Sequence, residues 1–500
     1  MIRLTGMNSG LDTDAMVKEL VSAYEKKGQK TKNAKTKHEW KTDIWSGLNK
    51  KIKAFNSKVK SLQFSSNYNL KKTTSSDENK VSVVAKENAV KGTQSITVDN
   101  LAKTAYVTSA KLQAVDANGN PTGGKITADS KLSELGMKSS PHTVTVTRKN
   151  GEKIDIDAGS ETTVGEFVNK LKSFGLDASF DENNGRFFIS AKESGEANDF
   201  TFTSDHPNVL KKLGLSAEAG ASVIAGEDAK ITLNGAEFTS STNSFDINGL
   251  AINVKGLTEP GNQITLTTDT DADAIYKNIK SVVSEYSKLI NELSKLYNAD
   301  SARKFNPLTD EEKDAMTDDE VEKWETKIKD SLLRRDGNIS SVMNAMKSAT
   351  MATYEVGGKK MTLSDFGIGT LGYFSSEDNE KSALHISGDA DDESVSGETN
   401  KLKAAIAADS DAVADFFSQL MTNLSDQFNK LSTSTTNRSY GNFYDDKKIK
   451  SDMTAYEKKV ADFETYLADI EDKYYKQFTK MEKAMAKLNS TQTQLGNYFG

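Results

Sequence analysis

Residues Trp45 to Leu62 read WSGLNKKIKAFNSKVKSL, and their apolar side chains, Trp45, Leu48, Ile52, Phe55, Val59 and Leu62, step by 3, 4, 3, 4 and 3. Steps averaging about 3.5 residues set all six on one stripe of a helix, and such a stripe is stable when it is buried against another helix. The signature returns near the other end, where Ile449, Met453, Tyr456, Val460, Phe463, Leu467, Ile470 and Tyr474 alternate steps of 4 and 3. It returns a third time in Ile275, Ile279, Val282, Tyr286, Leu289, Leu293 and Leu296. The seams of the two ends are expected to pair with each other or with those of neighbouring copies. Within one chain, the Leu48, Ile52, Phe55 stripe is expected on Ile279, Val282, Tyr286 and Leu289.

Between these seams the pattern changes. From about Thr73 to Thr268 the chain is rich in Thr, Ser, Val, Asn and Gly, with short alternating runs at Val81 to Val84, Ser95 to Val98, Thr143 to Thr147, Arg186 to Ser190 and Ile264 to Thr267. Alternation with β-branched residues predicts strands. A β-rich insert is therefore expected on a helical stem.

Five hundred residues exceed what one core usually serves, so about three domains are expected. The hydrophobic fraction of 36% and a mean hydropathy of −0.59 point to exposed faces covered on assembly, hence to a subunit of something larger. There is no cysteine, which excludes disulfides, thiolate metal sites and a cysteine nucleophile. The start, MIRLTGMNSGLDTD, has no apolar signal segment, and no stretch is long and apolar enough to span a bilayer. Export by a signal peptide is not expected. A net charge of −7 does not advertise nucleic-acid binding. That charge is uneven, with twelve lysines from Lys26 to Lys60 against Glu39 and Asp43, and a strongly acidic run from Asp310 to Glu325. Solvated faces, or a basic arm meeting an acidic partner surface, both fit this.

Asp12 or Thr13 caps a first helix with Met16, Val17, Leu20, Val21 and Tyr24 on its apolar face. The lysine-rich stretch Lys26 to Lys41 has little to bury and is expected to be unfolded in an isolated monomer. Within the insert, Ala114 to Lys125 reads as a loop and a border to a nested unit. That unit has a hairpin about Lys149-Asn150-Gly151, a helix from Thr163 to Phe174, and a hairpin about Asn183-Asn184-Gly185. The chain returns to the first β unit near Ala221. Helix resumes at Asp273. Two capping boxes follow, Thr309 with Glu312 and Thr317 with Glu320. Helices are expected at Glu320 to Arg335, Ile339 to Ala349 and Ser410 to Leu431, separated by Gly- and Asp-rich stretches at Gly357 to Gly372 and Ser387 to Gly397. The last helix continues through Phe478, Met481, Met485 and Leu488 past a stutter at Tyr474. Leu495, Tyr498 and Phe499 are expected exposed. None of the five prolines lies before Pro121 or after Pro307, so both ends face no proline break.

No motif carries catalysis. Gly119 to Lys125, GNPTGGK, has Walker-A spacing, but Ile126 stands where Ser or Thr is needed. Asp389, Asp391, Asp392 and Glu393 lack the Gly and Glu of a calcium loop. The histidines His38, His142, His206 and His385 are scattered, and no nucleophile motif is present. No enzyme activity, cofactor, metal ligand or catalytic residue is expected.

Gly10-Leu11-Asp12-Thr13-Asp14, the phrase NPLTDEEKDAMTDDEVEKWE from Asn306 to Glu325, and YYKQFTKMEKAMAKLNSTQTQL from Tyr474 to Leu495 resemble the flagellar filament-capping proteins, the hook-associated protein two family. SITVDNLA at Ser95 to Ala102 and Asp365-Phe366-Gly367-Ile368 extend the likeness, which touches every region of the chain.

The resemblance implies an α+β multidomain fold: a helical coiled-coil stem and leg from both termini, with two nested β-rich head domains inserted. The leg is expected at 1–43 and 453–500, the stem at 44–72 and 273–452, the inner head at 73–120 and 221–272, and the outer head at 121–220. It implies an extracellular cap at the distal filament tip that holds back exported flagellin and promotes its folding and polymerisation. Its partners are a ring of its own copies, flagellin, an export chaperone at the C-terminus and the type III export apparatus, without nucleic acid or membrane insertion. Val17, Leu20, Tyr24, Phe478, Met481, Met485 and Leu488 are the expected partner-binding residues. The stem is expected to pack through Trp45, Leu48, Ile52, Phe55, Val59, Leu62, Ile279, Val282, Tyr286 and Leu289. Alternatives are a tip adhesin binding host mucin or glycans, and another axial protein such as a junction protein or minor flagellin.

Overall fold

Asp12 starts the first helix: its Oδ1 accepts the Ala15 N–H at 2.9 Å, satisfying one of the unpaired donors of the first turn. With no proline downstream, α1 (Thr13–Ser61) runs unbroken for 49 residues. In the computed structural model, which describes residues 10–138, 141–372 and 374–499, nine further helices follow: α2 (Val164–Ser173), α3 (Pro207–Lys212), α4 (Ala272–Asn298), α5 (Asp310–Asp314), α6 (Asp318–Ser331), α7 (Gly337–Thr350), α8 (Lys401–Ala408), α9 (Ser410–Leu431) and α10 (Asp446–Phe499). The chain divides into two units, Leu70–Asp271 and a helical unit made by the segments before and after it. The side chains of Tyr498 and Phe499 lie outside the described residues.

The helical unit is built on the Trp45 to Leu62 stripe, all six members of which are buried. Ile279, Val282, Tyr286 and Leu289 of α4 are buried with it, and α9 supplies a second wall. Phe55 lies between Tyr286 and Phe428, with ring centroids 6.4 and 6.0 Å away. Phe366, Phe416 and Phe417 stack further along and are fully buried. Each such side chain contributes about 1.5–3 kcal/mol through burial. Both capping boxes form and start α5 and α6.

Three features depart from the sequence expectation. Lys26 to Lys41 is helical, as part of α1. The separator expected from Gly357 holds the turn and second strand of a hairpin, Tyr354–Val356 with Lys359–Met361, turned by Gly357 and Gly358, both at positive φ. Its three-residue strands are too short for alternation to declare them. The helix α8 stands in a stretch for which the sequence reading gave no element.

The other unit holds two hydrophobic cores. A five-stranded sheet runs in the order β1 (Lys71–Ser75), β15 (Ile264–Thr270), β3 (Gly92–Asn100), β11 (Ala229–Leu233), β12 (Ala236–Ser240), and a three-stranded one in the order β13 (Ser244–Ile247), β14 (Leu250–Val254), β2 (Val81–Ala85). They share a core of Val81, Ile96, Val98, Ile231, Leu250, Ile252 and Leu266. The second core lies among β6 (Lys153–Asp157), β5 (Thr143–Arg148) and β9 (Phe200–Ser204), the sheet β10 (Ser222–Ile224), β4 (Tyr106–Thr108), β8 (Arg186–Ala191), β7 (Leu176–Asp181), and α2. Along β5, Val144 and Val146 point inward while Thr143, Thr145 and Thr147 alternate outward, as a half-buried strand requires. The hairpins at Asn150 and Asn184 form.

This second core begins at Ala105, Val107, Leu112 and Ala114, ahead of the border expected at 120/121. The turn-rich stretch Ala114 to Lys125 is a loop closed by a bridge between Val115 and Pro121. The strand β10, beyond residue 220, pairs with β4.

Candidate assembly surface on the paired terminal helices

Between Val17 and Trp45, α1 continues the 4-and-3 spacing through Val21, Tyr24, Gly28, Thr31, Lys35, His38 and Thr42, but after Tyr24 the seam is polar or bare. This stretch meets the C-terminal seam. Asp14 accepts a 2.8 Å hydrogen bond from the Tyr475 hydroxyl, Tyr24 sits edge-on to Tyr466 at 6.3 Å, and Lys32 pairs with Glu464 at 3.4 Å. Nε2 of His38 bonds the Ile449 carbonyl at 2.9 Å, and its ring lies 5.5 Å from Tyr456. Rising numbers on α1 meet falling numbers on α10, so the helices are antiparallel.

The hydrogen bond to Glu39 holds the Lys35 ammonium above its ordinary range against burial, with Glu457 and Glu464 adding to it. The basic arm also turns inward at its far end, where Lys37 Nζ donates to the Phe305 carbonyl at 2.8 Å and Lys41 pairs with Asp336 at 3.2 Å.

The seam is only half closed. All eight members of the C-terminal stripe, Ile449 to Tyr474, are half-buried, and from Ser22 to Ile44 only Gly28 of α1 is buried. A two-helix pair covers one side of each stripe and leaves the flanks open to a third helix. Of the expected partner-binding residues, Val17 is buried, Tyr24, Phe478, Met481 and Met485 are half-buried, and Leu20 and Leu488 are exposed. Leu11, Met16 and Leu20 add an exposed apolar strip at the start of α1. The expected stem residues lie elsewhere, in the buried seam below Trp45.

The base of the pair is fixed by Asn49, whose Nδ2 donates to Asn442 Oδ1 at 3.0 Å while its Oδ1 accepts the Phe443 N–H at 3.0 Å. Sequence reading missed this contact, because an asparagine facing a loop leaves no periodic signal.

The rejected motifs have structural occupations. Gly119 to Lys125 is loop, and Ile126 is buried in the second β core. Asp389 and Asp391 pair with Lys280, and Asp392 lies 2.6 Å from His385 Nδ1. Among the described residues no cluster of three or more His, Asp or Glu is arranged for a metal, and no helix is long and apolar enough to cross a membrane.

The family model for the flagellar hook-associated protein 2 N-terminus matches residues 9–105, and that for the C-terminus matches residues 226–490. Flagellar hook-associated protein 2 of Halalkalibacterium halodurans is 22% identical over 548 residues, covering 100% of both chains. The B-type flagellar hook-associated protein 2 of Pseudomonas aeruginosa is 25% identical over 391 residues, 73% of this chain and 70% of its own. In fold, the D1-D2-D3 domains of the flagellar cap protein FliD from Escherichia coli superpose with a TM-score of 0.53 at 19% identity, over 83% of this chain and 99% of that one. The second β core occupies most of the stretch between the two matched segments. With its helical unit and inner β core inside those segments, the chain belongs to the flagellar hook-associated protein 2 family.

Proposed function

We infer that this protein is a subunit of the cap at the distal end of the bacterial flagellar filament, outside the cell, where it prevents loss of exported flagellin and promotes its polymerisation. The observation that carries the reading is the antiparallel pair of terminal helices with its seam half open. A filament subunit built from coiled-coil ends offers the missing helix, and a half-open seam binds it by weak, exchangeable contacts. Val17, Leu20, Tyr24, Phe478, Met481, Met485 and Leu488 are the residues assigned to that contact. An export chaperone covers the C-terminal face before assembly, the type III apparatus delivers the chain, and the β-rich heads of neighbouring copies meet sideways in a ring. A division into leg, stem, inner head and outer head supports these separate tasks. The family is a structural component of the flagellum, and its role requires no chemistry.

Electron microscopy of labelled protein added to filaments tests this. Label at one filament end supports the cap, label along the shaft means permanent incorporation, and glycan binding by the β-rich unit with no tip label favours an adhesin.

A further inference from the structure

Gly28 stands mid-helix among lysines, where propensity favours almost any other residue. Packing explains it. A Cβ built on Gly28 would lie 1.9 Å from Cε1, 2.3 Å from Cδ1 and 2.4 Å from Cζ of Phe463, so the ring rests on bare α1 backbone. Phe463 in turn packs 6.2 Å from Tyr466, whose ring meets Tyr24.

On the side towards Trp45 the α1 seam is Thr31, Lys35, His38 and Thr42, where alignment rests on polar groups that water replaces readily. The Lys32–Glu464 ion pair joins two largely exposed side chains and tolerates a slip. Shape does not tolerate one. A slip of seven residues sets Phe463 against Val21 or Lys35, and neither leaves room for a ring on the helix backbone.

We propose that the Gly28–Phe463 contact is the register lock of the terminal helix pair, the point where shape selects the alignment of the two chain ends. Because the α1 side of the seam from there to Trp45 is polar, displacing this ring weakens the pair as far as the stem. The lock is a property of the chain alone and stands or falls independently of the cap reading.

The chain has no cysteine, so an introduced pair reports register without background. In the full-length protein, Lys32→Cys with Glu464→Cys replaces the ion pair by two thiols that a bis-maleimide can join. Adding Gly28→Leu is expected to lower the cross-linking yield at least about fivefold, and adding Phe463→Ala to that variant to restore most of it. Gly28→Ala is the milder arm: helix propensity predicts tighter pairing, the lock predicts a lower yield and faster hydrogen exchange of α1 amides between Tyr24 and Thr42. An unchanged or higher yield in Gly28→Ala, or a fall in Gly28→Leu that Phe463→Ala does not reverse, overturns the proposal. If Gly28→Leu lowers the strand signal in circular dichroism, Gly28→Ala alone decides.

Discussion

The indole of Trp45 lies flat on the phenol ring of Tyr444, with centroids 5.2 Å apart and planes 4° from parallel. Tyr444 stands just before α10 begins, so this stack, with the Asn49 hydrogen bonds beside it, fastens the start of one terminal helix to the middle of the other. Trp45 is 1% exposed. Replacing it with Ala is expected to cost the helical unit about 3–5 kcal/mol, checked by urea titration of the helix signal. The strand signal should keep its own transition.

Phe55, buried between Tyr286 and Phe428, tests whether the stem seam is dry. Phe55→Ala is expected to cost about 3 kcal/mol, and a loss well below 1 kcal/mol would mean that the stripe is wet or satisfied only between subunits. The same titration reads it.

Deleting residues 1–41, or everything after residue 452, is expected to leave the β-rich unit folded, since both of its cores are made wholly of residues between Val81 and Leu266. Far-UV spectra and thermal melts of the truncated chains check this. Collapse of the strand signal would contradict the division.

Asp392 gives an acid-sensitive point. Burial pushes its carboxyl up, but hydrogen bonds from Ser394 and His385, together with the His385 charge, outweigh this and hold it below the ordinary range. A carboxyl lowered on folding adds stability in full above its unfolded value, and that stability is lost as pH falls through the folded value. The loop from His385 to Val395 is therefore expected to loosen below about pH 4. Amide exchange at Gly388, whose N–H donates to the Val395 carbonyl at 2.9 Å, reads it, and Asp392→Asn should show the loosened loop already at neutral pH.

Changing Phe478 and Met485 to Asp is expected to leave the β-rich unit intact, weaken chaperone binding, and cause cells to shed unpolymerised flagellin. Full-length filaments with no secreted monomer would remove the terminal helices from capping and leave a head ring as the sole capping element.

What the sequence disclosed follows from how each feature is encoded. The stem seam was plain because Trp45 to Leu62 carries bulky apolar residues at each step. Its continuation through Gly28, Thr31, Lys35 and His38 has the same spacing without apolar side chains, so hydropathy hid the half of α1 that meets α10. The Tyr354 hairpin was too short to announce itself. The Ala114 to Lys125 loop carries the same turn residues whether it borders a domain or lies within one.

The unbroken run of α10 has a mechanical consequence. At about 1.5 Å per residue, its 54 residues span about 80 Å from the Trp45–Tyr444 anchor to the far end. A tilt of about 5° at that anchor sweeps the tip sideways by about 7 Å, more than one turn of helix. Small give at the base thus becomes a wide search at the end, letting a firmly seated subunit probe sites of differing spacing without unfolding its core.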